Sequence, residues 1–168
     1  IGLATLLTAQ FFSPSEIIMI DQDDNRLQVA KTFGATQLIN SNNENAVEKI
    51  MLLTKNKGVD VAIEAVGVPA TFELCQEIIG AGGHIANIGV HGKSVTLHLE
   101  NLWSKNITIT TRLVDTVSTP MLFKNVQSGK LDPNKLITHH FKLDQILKAY
   151  DTFGNAANEK ALKVILTA

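Results

Sequence analysis

The chain has 168 residues, is 45% hydrophobic and 18% charged, and carries a formal net charge of −1, the profile of an ordinary soluble domain with one full core. Near-neutral charge argues against nucleic-acid or anionic-membrane binding through a basic face, and no apolar run approaches the roughly 18 residues of a membrane span. No signal-peptide pattern is found, and the single cysteine, Cys75, excludes an internal disulfide and suits a reducing, cytoplasmic compartment.

Short β-rich runs alternate with helical patterns, as in parallel βαβ units. Residues 2–12 read as a helix stopped by Ser13-Pro14-Ser15, and 17–20 as a buried strand. A helix over 23–33 has Asp23 and Asp24 in its first turn and Gly34 after its end. A short strand at 37–39 precedes a helix at 44–54 with Ala46, Val47, Ile50 and Leu53 on one face. The strand 59–63 leads to Val66-Gly67, then to a helix over 69–79 with Pro69 near its first position and Gly80, Gly82 and Gly83 ending it. Strand 84–88 runs into Gly89; one helical turn at 99–104 and a β-branched strand at 107–111 follow. Beyond this the pattern changes: helix 121–128, extended 138–141, helix 143–153, a surface connection at 151–160 and a last strand at 162–166.

Asp21 is the sharpest single residue. It ends an apolar strand nineteen positions after Gly2, the second half of the dinucleotide fingerprint of strand, G-x-G-x-x-G, helix, strand and acid. Gly2 then reads as the third glycine, with the first strand and the G-x-G expected upstream of residue 1. A carboxylate at this place accepts hydrogen bonds from both adenosine ribose hydroxyls and repels a 2′-phosphate, favouring NAD over NADP. It can equally cap the helix that follows. Arg26 flanks the same ribose or is a solvated helix charge. Gly67 and Gly89 each follow a strand, where open α/β sheets bind ligands and where chains also simply turn.

The sequence offers no metal site and no nucleophile. His84, His91 and His98 recur at intervals of seven, but across a strand, a loop and an extended segment, so the interval has no helical meaning. His139 and His140 point to opposite faces of a strand. His91 alone lies where a nicotinamide pocket is possible. Cys75 faces a core, and Trp103 and Phe141 read as packing residues.

The strings IGLATLLTAQ, IDQDDNRLQVAKTFGAT, GVDVAIEAVG, AGGHIANIGVHGK, KLITHHFKLDQILKAYDTF and ALKVILTA, in this order, resemble the C-terminal half of medium-chain zinc-dependent alcohol dehydrogenases. The resemblance implies an α/β fold: a doubly wound, Rossmann-like parallel sheet lacking its first strand, over 1–135, then a strand-helix-strand segment at 136–168 that returns to a catalytic domain. It implies Asp21 and Arg26 at the adenosine ribose, Val66 and Gly67 along the adenine-side cleft, and Ile88, Gly89, Thr111 and Leu113 near the nicotinamide and its ribose. Lys163 would meet the pyrophosphate. The family's zinc ligands and proton relay lie in the other domain, so zinc belongs to the parent enzyme and none of its ligands to this chain, which alone is expected to transfer no hydride. A small alcohol, aldehyde or ketone is the implied substrate. A dimer or tetramer paired near 107–111 is the implied assembly. A polyol or amino-acid dehydrogenase of the same superfamily, and a non-catalytic NAD(H) sensor, are the alternatives; the 136–168 segment, which a free-standing sensor does not need, weighs against the sensor.

Overall fold

The structure, a computed structural model, describes every residue of the chain except Asp115. In order come α1 (Gly2–Ala9), β1 (Ile18–Asp21), α2 (Asp24–Thr32), β2 (Gln37–Asn40), α3 (Ala46–Leu53), β3 (Val59–Glu64), α4 (Pro69–Ile78) and β4 (Ile79–Asn87). There follow a single turn α5 (Leu99–Leu102), β5 (Thr108–Thr111), α6 (Thr119–Gln127), β6 (Ile137–Lys142), α7 (Ile146–Gly154), a single turn α8 (Ala156–Glu159) and β7 (Lys163–Thr167). Every ladder is parallel, in three sheets ordered β1-β2, β3-β4-β5 and β6-β7. The expected parallel α/β architecture is present, and among the described residues β1 pairs only with β2 and β3 only with β4.

The chain divides into two compact units, Ile1–Gly2 with Ser41–Asp115, and Leu3–Asn40 with Thr116–Ala168. In the second, Asp23 is the N-cap of α2: its carboxylate accepts from the Asn25 and Arg26 amides at 2.7 and 3.4 Å, satisfying donors that the first helical turn leaves open. Ala30 of this helix and its C-cap Phe33 bury against Leu6, with Leu3, Leu7 and Met19 packed around them. Fully buried Leu6 contributes about 1.5–3 kcal/mol by leaving water. The C-terminal β6-α7-β7 piece of the same unit stacks His139 on Phe141, ring centroids 6.4 Å apart, while His140 points to the opposite, exposed side. Ala149 and Thr152 of α7 are buried, but Leu147, Tyr150 and Phe153 are 78%, 69% and 56% exposed.

In the other unit Asn45 caps α3, accepting from the Val47 and Glu48 amides. Phe72, Cys75 and Ile78 of α4 are buried, as are Ala62 of β3 and Ile85 of β4. Buried Gln76 donates to the Thr96 carbonyl at 2.9 Å and accepts from the His98 amide at 2.8 Å, fastening the 92–98 stretch to α4. Burial pushes the Cys75 thiol up to about 12, helped by the Glu64 charge. We expect Cys75 to stay unmodified by iodoacetamide at pH 8 in the native chain and to react only after denaturation, as read by mass spectrometry.

Three local expectations change. Gly80 to Gly83 do not form a loop that ends a helix: β4 already begins at Ile79, and a register shift between Val59↔Ile79 and Val61↔His84 takes up the glycine stretch within the strand. Residues 151–160 are the end of α7 and the turn α8 rather than a plain connection. Trp103 is no packing residue, being 75% exposed.

Candidate functional site

Asp21 is the last residue of β1, and its Oδ1 accepts from the amides of Gln22 at 2.8 Å and Asp23 at 3.0 Å. The capping of α2 belongs to Asp23, so a helix cap does not account for Asp21. With both amides on Oδ1, its Oδ2 faces no hydrogen-bond donor among the described residues. The Arg26 guanidinium stands 3.8 Å from Asp21 and 3.9 Å from Asp23, a partly exposed pair of contacts that adds little stability but fixes a cation beside the strand end. Asn40, at the parallel end of β2, donates to Asp24 at 2.6 Å. Beside this corner, still within the same unit, Asp23, Arg26 and Val29 share a cleft of about 230 Å³ with Ala156, Lys160 and Leu162. No local pattern in residues 156–162 points to their place against α2.

In the other unit the ends of β3 and β4 converge on Glu64, which sequence reasoning missed. Its side chain is 1% exposed. Oε1 accepts from the amides of Val66 at 2.9 Å and Gly67 at 2.8 Å, and from the Thr71 hydroxyl at 2.6 Å. Its main-chain carbonyl accepts from the Ile88 and Gly89 amides at 2.9 and 3.1 Å. Oε2 has no hydrogen bond but lies 3.3 Å from His91 Nε2. Burial drives the Glu64 carboxyl upward, yet the Thr71, Gly67 and Val66 donors together with His91 hold it below its ordinary 4.5. The signal available was an acid inside the apolar run of β3. Val61 and Ile63 are 52% and 40% exposed, so the buried side of β3 carries Ala62 and Glu64. The helices α3 and α4 lie on the Ala62 and Glu64 side of the strand, α4 against β3 and α3 against α4.

Gly67 and Gly89 meet here. Gly67 has φ +90°, and a Cβ on it would run into the Val90 main chain; a Cβ on Gly89 would strike Glu64 Oε2 and the Gly67 amide. Their side-chain-free approach therefore has an internal cause. Of the other candidate residues, Val66 and Leu113 are 65% and 78% exposed, and Ile88 is half-buried. Thr111 ends β5 opposite Asn87, Gly2 opens α1, and Lys163 is exposed at the start of β7. The structure thus brings together Asp21 with Arg26, and Val66, Gly67, Ile88 and Gly89 around Glu64. Among the described residues no three His, Cys, Asp or Glu side chains are gathered to hold a metal ion, and no helix is long and apolar enough to cross a membrane.

Comparison with known proteins places these features in context. A family model described as zinc-binding dehydrogenase matches residues 1–128. An alcohol dehydrogenase of Cupriavidus necator is 35% identical over 159 residues, 92% of this chain and 43% of that protein. An L-idonate 5-dehydrogenase of Vitis vinifera is 30% identical over 171 residues, 98% of this chain and 46% of that protein. Among solved structures, the apo form of zinc-dependent alcohol dehydrogenase 2 from Streptococcus pneumonia superposes with a TM-score of 0.93 at 55% identity, covering 98% of this chain and 48% of that one. The chain spans about half the length of the curated relatives it matches.

Proposed function

Since the chain belongs to the zinc-binding dehydrogenase family, we propose that it is the NAD-holding half of an NAD-dependent alcohol dehydrogenase. In the reaction of such an enzyme a hydride leaves the carbinol carbon for the nicotinamide, the hydroxyl gives up its proton, and an aldehyde or ketone and NADH result. The observation that carries this reading is Asp21: a carboxylate at the end of a parallel strand, not used as a cap, with one oxygen left for ribose hydroxyls. Arg26 flanks it, and its side chain also borders the cleft beside α2. We assign Gly2 to close helix packing, and Val66 and Gly67 to the adenine-side cleft. Ile88, Gly89, Thr111 and Leu113 go to the nicotinamide and its ribose, and Lys163 to the pyrophosphate.

The zinc implied by the family's description finds no ligand group among the described residues, and they carry no zinc step. We divide the chain at residue 135, with 136–168 as a segment that packs on a second domain. The bare Leu147, Tyr150 and Phe153 on α7 support this, because so much apolar surface on one helix side fits a contact. A dimer or tetramer paired along β5 fits that strand's unpaired outer edge among the described residues. A cytoplasmic setting agrees with the buried, unpaired thiol. One relative above is named for L-idonate and the others for alcohols in general, so we read this half as fixing the cofactor and the rest of the polypeptide as choosing the alcohol.

The test is alcohol oxidation by the full-length protein that carries this chain, with NAD and with NADP. Asp21→Ala should lower the ratio of kcat/KM for NAD over NADP by about 100-fold, the loss of two charge-assisted hydrogen bonds together with relief of repulsion toward a 2′-phosphate. An unchanged ratio, or no NADH formed from any primary or secondary alcohol by the wild type, sinks the reading.

A further inference from the structure

The sharing of one histidine nitrogen between two strand-end loops goes beyond cofactor assignment. His91 Nε2 lies 2.8 Å from Asn87 Oδ1 and 3.3 Å from Glu64 Oε2. Asn87 spends its amide nitrogen on the Gly89 carbonyl at 3.1 Å, so its Oδ1 is an acceptor and the His91 nitrogen facing it carries the proton. The same nitrogen lies beside Glu64 Oε2, which is buried and makes no hydrogen bond. The remaining ring nitrogen, Nδ1, is also buried and has no partner, so nothing on that side of the ring fixes it. The contact on the ring is the Phe72 edge, with centroids 6.1 Å apart at 85°.

Glu64 holds the turn after β3 through the Val66 and Gly67 amides, and its carbonyl holds Ile88 and Gly89 after β4. The two loops touch backbone to backbone at Gly67 and Val90, with no side chain between them to absorb a shift. A shift of the Glu64 carboxylate therefore moves the 65–67 turn directly and bears on the following loop through the Gly67–Val90 approach.

We propose that His91 is a positioning residue, a latch whose Nε2–H bonds Asn87 while the ring nitrogen lies against the Glu64 carboxylate, setting the backbone of the 88–91 loop against the 65–67 turn. The donor on Nε2, rather than ring volume, does this. The latch follows from the geometry alone; its consequence for dinucleotide affinity rests on the function proposed above.

The test uses three variants of the full-length protein that carries this chain. His91→Gln carries an amide nitrogen close to where Nε2 stands, His91→Asn carries one close to Nδ1, and His91→Phe keeps a ring without a donor. Hydrogen exchange of the Gly67, Ile88 and Gly89 amides should accelerate about tenfold or more in His91→Phe and His91→Asn, and by less than about threefold in His91→Gln. The Ile50 amide of α3 serves as reference: an acceleration shared equally by Ile50 reflects general loosening and overturns the latch. So does a His91→Phe chain that exchanges like wild type, or a His91→Gln chain that exchanges like His91→Phe. NAD affinity, titrated in parallel, should fall about tenfold in His91→Phe and recover in His91→Gln. If the exchange pattern holds but no form binds NAD, wild type included, the cofactor reading fails and the latch stands.

Discussion

Gly67→Ala should lower the unfolding free energy of the chain by about 3–5 kcal/mol. Three costs coincide. The position has φ +90°, where an L-side chain costs about 1–2 kcal/mol. The new Cβ meets the Val90 main chain, which cannot swing aside as a flexible side chain would, and such overpacking costs about 1–3 kcal/mol. Relief of that collision must shift the turn and so weaken the Gly67 amide bond to buried Glu64. Gly82→Ala is the control. It too has positive φ, +74°, but nothing lies within 4 Å of its added Cβ, so backbone strain alone remains, about 1 kcal/mol. Urea unfolding of both variants measures the difference. Equal losses would mean that the approach of the two loops is not a rigid feature of the fold.

Glu64→Ala ranks second. It strands the Val66 and Gly67 amides and the Thr71 hydroxyl around a buried gap, at a cost of about 3 kcal/mol. The pH dependence separates the charge from the hydrogen bonds. The Glu64 carboxyl titrates below its ordinary 4.5 in the fold and near that value when unfolded. Its ionised form is thus favoured by folding: the stability it adds is complete above about pH 4.5 and fades as pH falls through the lower, folded value. Glu64→Gln keeps an acceptor for the amides, loses the charge, and sets an NH₂ against the His91 Nε2–H. Its deficit relative to wild type should be full at pH 7 and shrink below pH 4.5, as followed by thermal unfolding across that range. A deficit that stays constant, or grows, in acid would refute the assignment of Glu64 as an ionised hub.

Much of the fold was legible because it rests on local chemistry. The apolar run at 17–20, the paired acids at 23–24 and the glycine after Phe33 mark β1 and α2 within a residue at most ends. Asp23 supplies the cap that the sequence pattern promised, and in doing so separates Asp21 from that role. Pro69 likewise marks the start of α4. What the sequence hid depends on tertiary placement. A bulge lets β4 swallow glycines that look like a stop signal. Which side of β3 is buried is set by where α3 and α4 lie, and alternation of Val61 and Ile63 alone points to the wrong side. Nothing in the local pattern around Glu64 marks it as the acid on the buried side. For the same reason Trp103 looked like core: its size argues for burial, but no neighbour covers it, and it is 75% exposed.

The binding of Asp21 to an adenosine ribose is the claim on which the functional account turns, and calorimetric titration of NAD and NADP into the full-length protein that carries this chain tests it most directly. The account predicts NAD binding at least about tenfold tighter than NADP, with that preference erased in Asp21→Ala. Equal affinities in the wild type, or a preference for NAD that survives Asp21→Ala, would contradict it.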